Sequence, residues 1–353
     1  MDTDSSDPRL ERLLALAERE AAPCEFDRFA VGCHFGAAPP GAPLTLEQVA
    51  EKKRVIAAVA GLLARLRPAA RAVNPGEAEL MLTVSWPEPA CERLLAPACL
   101  AGRYRKLSRF MPSARWPCRT CRGAGCPRCA GSGRMYRKTV EDVLAAAFLG
   151  PAGAEATRLH TCGREDVDAR MLGPGRPFVL ELLAPRRRRF PLEPVARALA
   201  GSRETAFEAL HWTTRAAVPE LYAARPWKRY EALVALEAPL RAAELPARLP
   251  REPITLEQQT PARVAHRRAD RLRHRTVRIT ALRPAAELDH FDALPRGRQA
   301  EVRLFRLALR AEPGTYVKEF VSGDDGRTRP SVAALLGVPA RCVLLDVTGL
   351  ETA

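Results

Sequence analysis

The sequence predicts an α+β protein organised as two domains. Its 353 residues are enough for two separate hydrophobic cores. Apolar residues make up 47% and charged residues 27%, a globular rather than a disordered composition. Long strand-like runs mix with helical stretches without strict βα alternation, and from about residue 155 strands and basic loops dominate.

Taken in order, the first element is a helix within MDTDSSDPRLERLLALAERE. Asp7 is placed to cap it with Pro8 at its first position, and Leu10, Leu13, Leu14 and Ala17 share one face. A Gly/Pro-rich turn follows. Thr45 and Gln48 then form a capping-box pattern, with Leu44 and Val49 as a hydrophobic staple. That helix buries Val55, Ala58, Val59, Leu62, Leu63 and Leu66, and Pro68 stops it. ELMLTVSWP reads as a strand ending at Pro87, and GRYRKLSR (Gly102 to Arg109) as a basic segment with one aromatic. TVEDVLAAAFLG and PLEPVARALAG read as helices, and RPFVLELLAP, TVRITALRP and EVRLFRLALRAE as strands.

A net charge of +15 points to a polyanionic partner, although GC-rich coding also raises Arg, Ala and Pro together. No apolar run approaches the ~18 residues of a membrane span. The acidic, amphipathic N-terminus is unlike a signal peptide. A cytoplasmic location is expected (or a nuclear one in a eukaryote), with the ten cysteines as thiols or metal ligands.

Cys118, Cys121, Cys126 and Cys129 are spaced C-x2-C-x4-C-x2-C. Two such pairs close a tetrahedral zinc site, and four thiolates leave no position for water, so the zinc would be structural. Gly123, Gly125, Gly131 and Gly133 allow the left-handed backbone that such knuckles need. A pair of disulfides is the alternative. The string also resembles two CxxCxGxG units of the Hsp40 chaperones, but no HPD turn accompanies it. The other six cysteines form no CxxC pair and read as small buried hydrophobes.

Against this basic background, GREDVDARMLG (Gly163 to Gly173) crowds Glu165, Asp166 and Asp168 between Arg164 and Arg170. By itself this is an acidic loop, ion-paired to its arginines, leading into a buried strand. The stretch from Gly163 to Glu181 nevertheless resembles the GREDxDxRxLGxGRPFxxE signature of the tRNA pseudouridine synthases that modify uridines 54 and 55 of the TΨC arm in archaea and many eukaryotes. WKRYEALV (Trp227 to Val234), ITLEQQTPARVAHRR and GTYVKEFVSGDDGRTRPSVAALLG (Gly314 to Gly337) resemble that family's later motifs, in order. GRYRKLSR and the cysteine string also have counterparts there, so the likeness covers roughly residues 100 to 350.

The resemblance implies a catalytic domain over 113–353, with a mixed, largely antiparallel sheet, flanking helices and the cysteine insert at 118–129. It implies a reduced, THUMP-like α/β accessory domain over 1–112, in which Asp27 stands where a cysteine would pair with Cys24. Asp166 would be the catalytic carboxylate and Arg164 would help expel the uridine from its stack. Tyr230 would stack on the base, Lys318 would pair with the aspartate, and Leu335 or Leu336 would shape the pocket. Asp166 and Asp168 are two apart, so on extended backbone only one could face the pocket. That leaves Asp168 to pair with Arg170 or Arg176. Arg186 to Arg189 and Arg267 to Arg275 would contact phosphates. The expected partner is tRNA, the expected state a monomer, and no organic cofactor is needed. The alternative is a non-catalytic, zinc-containing RNA-binding protein on the same fold.

Overall fold

The computed structural model describes residues 7–36, 43–240, 244–266, 268–285 and 303–351. The chain forms two sheets, each with its own core. No helix among the described residues is long and apolar enough to cross a membrane.

In the first unit, α1 (Pro8–Ala21) is capped by Asp7, whose side chain accepts from the Arg9 amide. The helix α2 (Leu46–Leu66) opens with the full Thr45/Gln48 capping box. Between and after them come β1 (Arg28–Phe35), β2 (Arg71–Ala72), β3 (Leu80–Trp86) and β4 (Ala90–Leu95), in sheet order β2-β1-β3-β4. Leu13, Ala17, Val55, Val59 and Leu63 bury their apolar faces against Phe29, Leu80, Leu82 and Val84 of this sheet. Such burial stabilises by about 1.5–3 kcal/mol for each large side chain.

The second unit begins earlier than position 113. β5 (Ala98–Lys106) lies between β7 (Arg170–Leu183) and β8 (Thr205–Thr213), so residues 98–112 belong with the larger sheet and the change-over falls near Ala96–Pro97. GRYRKLSR read as a basic segment because its inward position 106 is a lysine. The strand alternates all the same: Gly102, Tyr104 and Lys106 are buried, while Arg103 and Arg105 point outward.

The remaining elements follow as α3 (Val140–Ala152), β6 (Ala156–Thr161), α4 (Glu193–Ala200), α5 (Ala217–Ala223), β9 (Trp227–Leu236), α6 (Glu244–Arg248), β10 (Ile254–Gln258), α7 (Ala262–Ala265), β11 (Arg273–Pro284), β12 (Arg303–Ala311), α8 (Val317–Ser322), β13 (Thr328–Arg329), α9 (Val332–Leu336) and β14 (Ala340–Glu351). The sheet runs β13-β10-β11-β12-β9-β14-β7-β5-β8, with β6 on β7. Its pairings are antiparallel except at β14 and β7, which touch in parallel over two residue pairs, Asp346–Arg170 and Val347–Met171. The architecture is therefore α+β, with a mixed, largely antiparallel sheet. The short parallel seam divides it into two halves, and the acidic loop enters beside that seam.

Candidate active site

The loop 163–169 joins β6 to β7, which starts at Arg170. Its backbone is not extended at the carboxylates: the Ala169 amide donates to the Asp166 carbonyl at 3.1 Å, closing a turn. Both aspartates consequently reach one ammonium. Lys318 Nζ lies 2.6 Å from Asp168 Oδ2 and 3.6 Å from Asp166 Oδ2. Asp168 thus pairs with neither Arg170 nor Arg176, because both are taken. Arg170 donates to Asp346 at 2.7 Å, and Arg176 Nε to Glu165 at 2.9 Å.

Buried groups hold this turn from below. Lys106, fully buried, donates to the carbonyls of Asp166 at 3.1 Å, Val167 at 2.7 Å and Met111 at 3.0 Å. The pairing of Lys106 with Met171 puts it under the loop's exit. Burial pushes its ammonium down to about 8, against the pull of Glu165, Asp168 and Asp166. Arg109 donates to the carbonyls of Asp168 and Leu345 and to the buried Asp346 carboxylate. Asp346 therefore ties Arg109 and Arg170 together across the parallel seam. At the loop's entry, Glu165 is enclosed. It accepts from the Tyr104 hydroxyl at 3.1 Å and from Arg176, whose Nη1 also holds the Cys162 carbonyl at 2.8 Å. A buried pair so completely hydrogen-bonded fixes the conformation, whatever its net energy.

Above this frame opens a pocket of about 630 Å3, within the roughly 300–1,000 Å3 of small-molecule sites. Asp166, Arg164, Tyr230 and Lys318 all line it. Arg263 reaches Asp166 at 3.0 Å and Glu319 at 2.6 Å, so Asp166 faces two cations. The start of α8, which carries Lys318, is positioned by Gln258, buried on β10, which donates to the Tyr316 carbonyl at 3.0 Å and accepts from the Tyr316 amide at 2.8 Å. Burial raises the Tyr230 phenol above its ordinary value, so the ring enters the pocket as a neutral aromatic. Arg164 is exposed at the rim. Leu335 is not part of the wall. It packs with the partly buried rim of the core on α9, and the apolar wall is supplied by Val317, Leu345 and Val347. Leu336 is fully buried and does not line the pocket either.

The four cysteines come together with all Sγ atoms within 4.8 Å of one another, a set that could hold a metal ion. The amides of Gly125, Cys126 and Gly133 each point at a cysteine sulfur at 3.2 Å. Gly133 has a positive φ of 66°, and a Cβ there would lie 2.3 Å from the Gly123 carbonyl oxygen. Arg134 and Arg115 both pair with Asp142 on α3, at 2.9 and 2.7 Å, anchoring the knuckle to the larger unit.

The basic segments divide. Arg188 is clasped between the units: it donates to the Ala96 and Pro97 carbonyls at 2.7 and 3.0 Å and lies 3.6 Å from Glu79. Arg186, Arg187 and Arg189 are exposed. Of the second segment, Arg267 lies outside the described residues, Arg268 donates to the Tyr316 hydroxyl and Arg273 to Thr260.

Lys106, Arg109, Glu165 and Arg263 had no assigned task in the sequence, and Arg176, expected beside Asp168, pairs with Glu165 instead. All five lie within the quoted motifs, but a motif does not say which member supports and which reacts.

Residues 99–351 match the family model described as "Pus10, C-terminal". A protein of Methanothrix thermoacetophila named tRNA pseudouridine synthase Pus10 is 38% identical over 96% of this chain and 73% of that protein. One of the same name from Methanothermobacter marburgensis is 41% identical over 71% of this chain and 59% of that protein. Among solved structures, a Cbf5-Nop10-Gar1 complex aligns with 59% of this chain and 44% of that chain at 17% identity and a TM-score of 0.32, too loose to bear on the site. The extent of the family match, from the first strand of the larger sheet to the last, means that this chain belongs to the Pus10 family.

Proposed function

We propose that this protein is a tRNA pseudouridine synthase that isomerises uridine at position 54, 55 or both in the TΨC arm. The observation that carries the reading is Asp166 itself. It is a carboxylate held by Arg263 at 3.0 Å and Lys318 at 3.6 Å, in the same pocket as the ring of Tyr230. The reaction breaks the N1–C1′ bond, turns the uracil and rejoins it through C5, without redox change or hydrolysis. A charged carboxylate near C1′ or C6 is the required group, as nucleophile or as base. Arg263 and Lys318 flank Asp166 with positive charge. A stacked uridine hides these atoms, so the base is flipped out and stacks on Tyr230, with Arg164 at the rim helping to displace it.

The four cysteines bind one structural zinc. At a Zn–S distance of about 2.3 Å, a tetrahedron of sulfurs has edges of about 3.8 Å. The pairs Cys118–Cys126, Cys121–Cys129 and Cys126–Cys129 are 3.9, 3.8 and 3.7 Å apart. Three amides aimed at the sulfurs favour thiolates, which are metal ligands. The smaller unit is a THUMP-like accessory domain for RNA, and exposed arginines such as Arg186 hold tRNA through its phosphates. The protein works as a cytoplasmic monomer.

The test is to incubate pure protein with transcribed tRNA and map pseudouridine. Formation at 54 or 55 is expected. Tight tRNA binding with no pseudouridine on any transcript would overturn the enzyme in favour of an RNA-binding scaffold.

A further inference from the structure

The half-buried Lys228 has no task in this scheme. Lys228 lies on β9 two residues before Tyr230, so the two side chains leave the strand on the same face, and both line the pocket. Its amine reaches the floor of the acidic loop. A methyl group at Gly163 would sit 3.4 Å from Lys228 Nζ and 3.5 Å from Arg176 Nη1. Three other cations of the pocket are matched by carboxylates: Arg176 by Glu165, Lys318 by Asp168 and Asp166, and Arg263 by Glu319 and Asp166, while Arg164 and Arg225 stand exposed at its edge. Lys228 is different. Among the described residues it has neither a hydrogen bond nor an ion pair, although it is withdrawn from most of the solvent. Burial first, and then the charge of Arg176, push it down to about 8, against the weaker pull of Cys162 and Glu165. A cation kept away from water beside another cation costs free energy in the empty protein. It is useful there if the bound molecule brings electron-rich oxygen to it.

We propose that Lys228 is a catalytic residue that donates a charged hydrogen bond to a carbonyl oxygen of the flipped uracil, stabilising the base while it is detached from the ribose. The assignment rests on the pseudouridine synthase reading. When the N1–C1′ bond breaks, its electron pair leaves with the uracil, whose negative charge spreads onto O2 and O4. The ring turns, C5 bonds to C1′, the proton on C5 is lost and N1 gains one. With the carboxylate acting at C1′, the base is bound through these steps only by non-covalent contacts. Tyr230 supports its face, and Lys228 offers its carbonyl edge a half-buried cation that no carboxylate has claimed. A donor aimed at charge that develops only during reaction acts on the rate more than on binding.

The experiment compares K228M and K228R with wild type in single-turnover pseudouridine formation on a transcribed tRNA, alongside tRNA binding and thermal melting. K228M should melt no lower than wild type, since Lys228 holds no structural partner. It should bind tRNA within about twofold and isomerise about 100-fold more slowly, as expected for loss of one such donor. K228R keeps the charge and should recover at least tenfold over K228M. It should also lack the fall in rate that wild type shows above pH 8, where Lys228 gives up its proton. A K228M protein as fast as wild type would overturn the proposal, and so would one impaired only in tRNA affinity, which would make Lys228 a phosphate contact. A high-pH fall unchanged in K228R would place it on another group, such as Lys106, and count against the proposal as well. If wild type itself makes no pseudouridine, it is the enzyme reading that falls.

Discussion

Lys318 and Asp168 form an ion pair at the mouth of the pocket, 2.6 Å from Nζ to Oδ2, and the same ammonium stands 3.6 Å from Asp166. One lysine therefore serves two carboxylates that the 166–169 turn has brought to the same side. The closer contact goes to the more exposed aspartate, leaving Asp166 to be completed by Arg263.

This division of labour separates the two aspartates experimentally. Asp166→Asn should lower pseudouridine formation by about 10,000-fold or more, while tRNA affinity, spread over many phosphates, changes little. Asp168→Asn should lower the rate by only about tenfold, because Lys318 stays beside Asp166. Single-turnover assays with matched binding curves check both. Equal loss from the two substitutions would move the chemistry away from Asp166.

The same pair sets an acid dependence. Desolvation alone would raise Asp168, but the hydrogen bonds and charge of Lys318 hold its carboxyl below the usual range. Its folded-state pKa is thus depressed, so its contribution to stability is full above the unfolded value of about 3.9 and disappears as pH falls through the folded value. Melting temperatures measured from pH 5 down to pH 3 should fall less steeply for Asp168→Asn than for wild type.

Lys106 should be felt in stability and rate together. Lys106→Met removes three hydrogen bonds and leaves the Val167 and Met111 carbonyls without a donor, while Asp166 keeps the Ala169 amide, a loss of about 3 kcal/mol. The loosened 166–168 turn should slow the reaction more than tenfold at temperatures where the protein remains folded. Its pKa gives the opposite pH trend from Asp168. Lowered from 10.5 to about 8, Lys106 binds its proton less well when folded, so stability rises as pH climbs through that window. Denaturant midpoints for Lys106→Met should lack its share of that rise.

Metal analysis should give about one zinc per chain, and Cys129→Ser should weaken its retention. The knuckle is tied to α3 through Asp142, so stripping the zinc should lower the melting temperature of the larger unit. Metal-free protein with unchanged melting and activity would show that the cysteines hold no structural ion.

The arginine run 186–189 should split in the same way as its contacts. Arg188→Ala removes the donor to two carbonyls between the units and should destabilise by about 2 kcal/mol, with the salt dependence of tRNA binding unchanged. Neutralising the exposed Arg186 and Arg187 should instead flatten the log–log salt slope by about two units and leave melting alone.

What the sequence determined by itself was the chemistry of short range. Asp7 and Thr45 cap their helices because capping is decided within three residues. The cysteine knuckle was legible for the same reason, since spacing and glycines close it locally. The likeness of Gly163 to Glu181 to a signature supplied Asp166 and its company in the pocket, because a motif fixes residue types in order. Tertiary structure decided the pairing. Lys106, read only as part of a basic segment, is buried beneath the loop, where it donates to the loop carbonyls of Asp166 and Val167 and to that of Met111. Asp168 found Lys318, 150 positions away, because its nearer arginines were already claimed by Asp346 and Glu165 across the sheet. Leu335, placed in the pocket by its motif, packs against the core instead, and strand β14 with helix α8 brings up the apolar wall. Which opposite charge a side chain meets depends on distances between segments remote in sequence, and those distances exist only once the two halves of the sheet have met at the seam of β7 and β14.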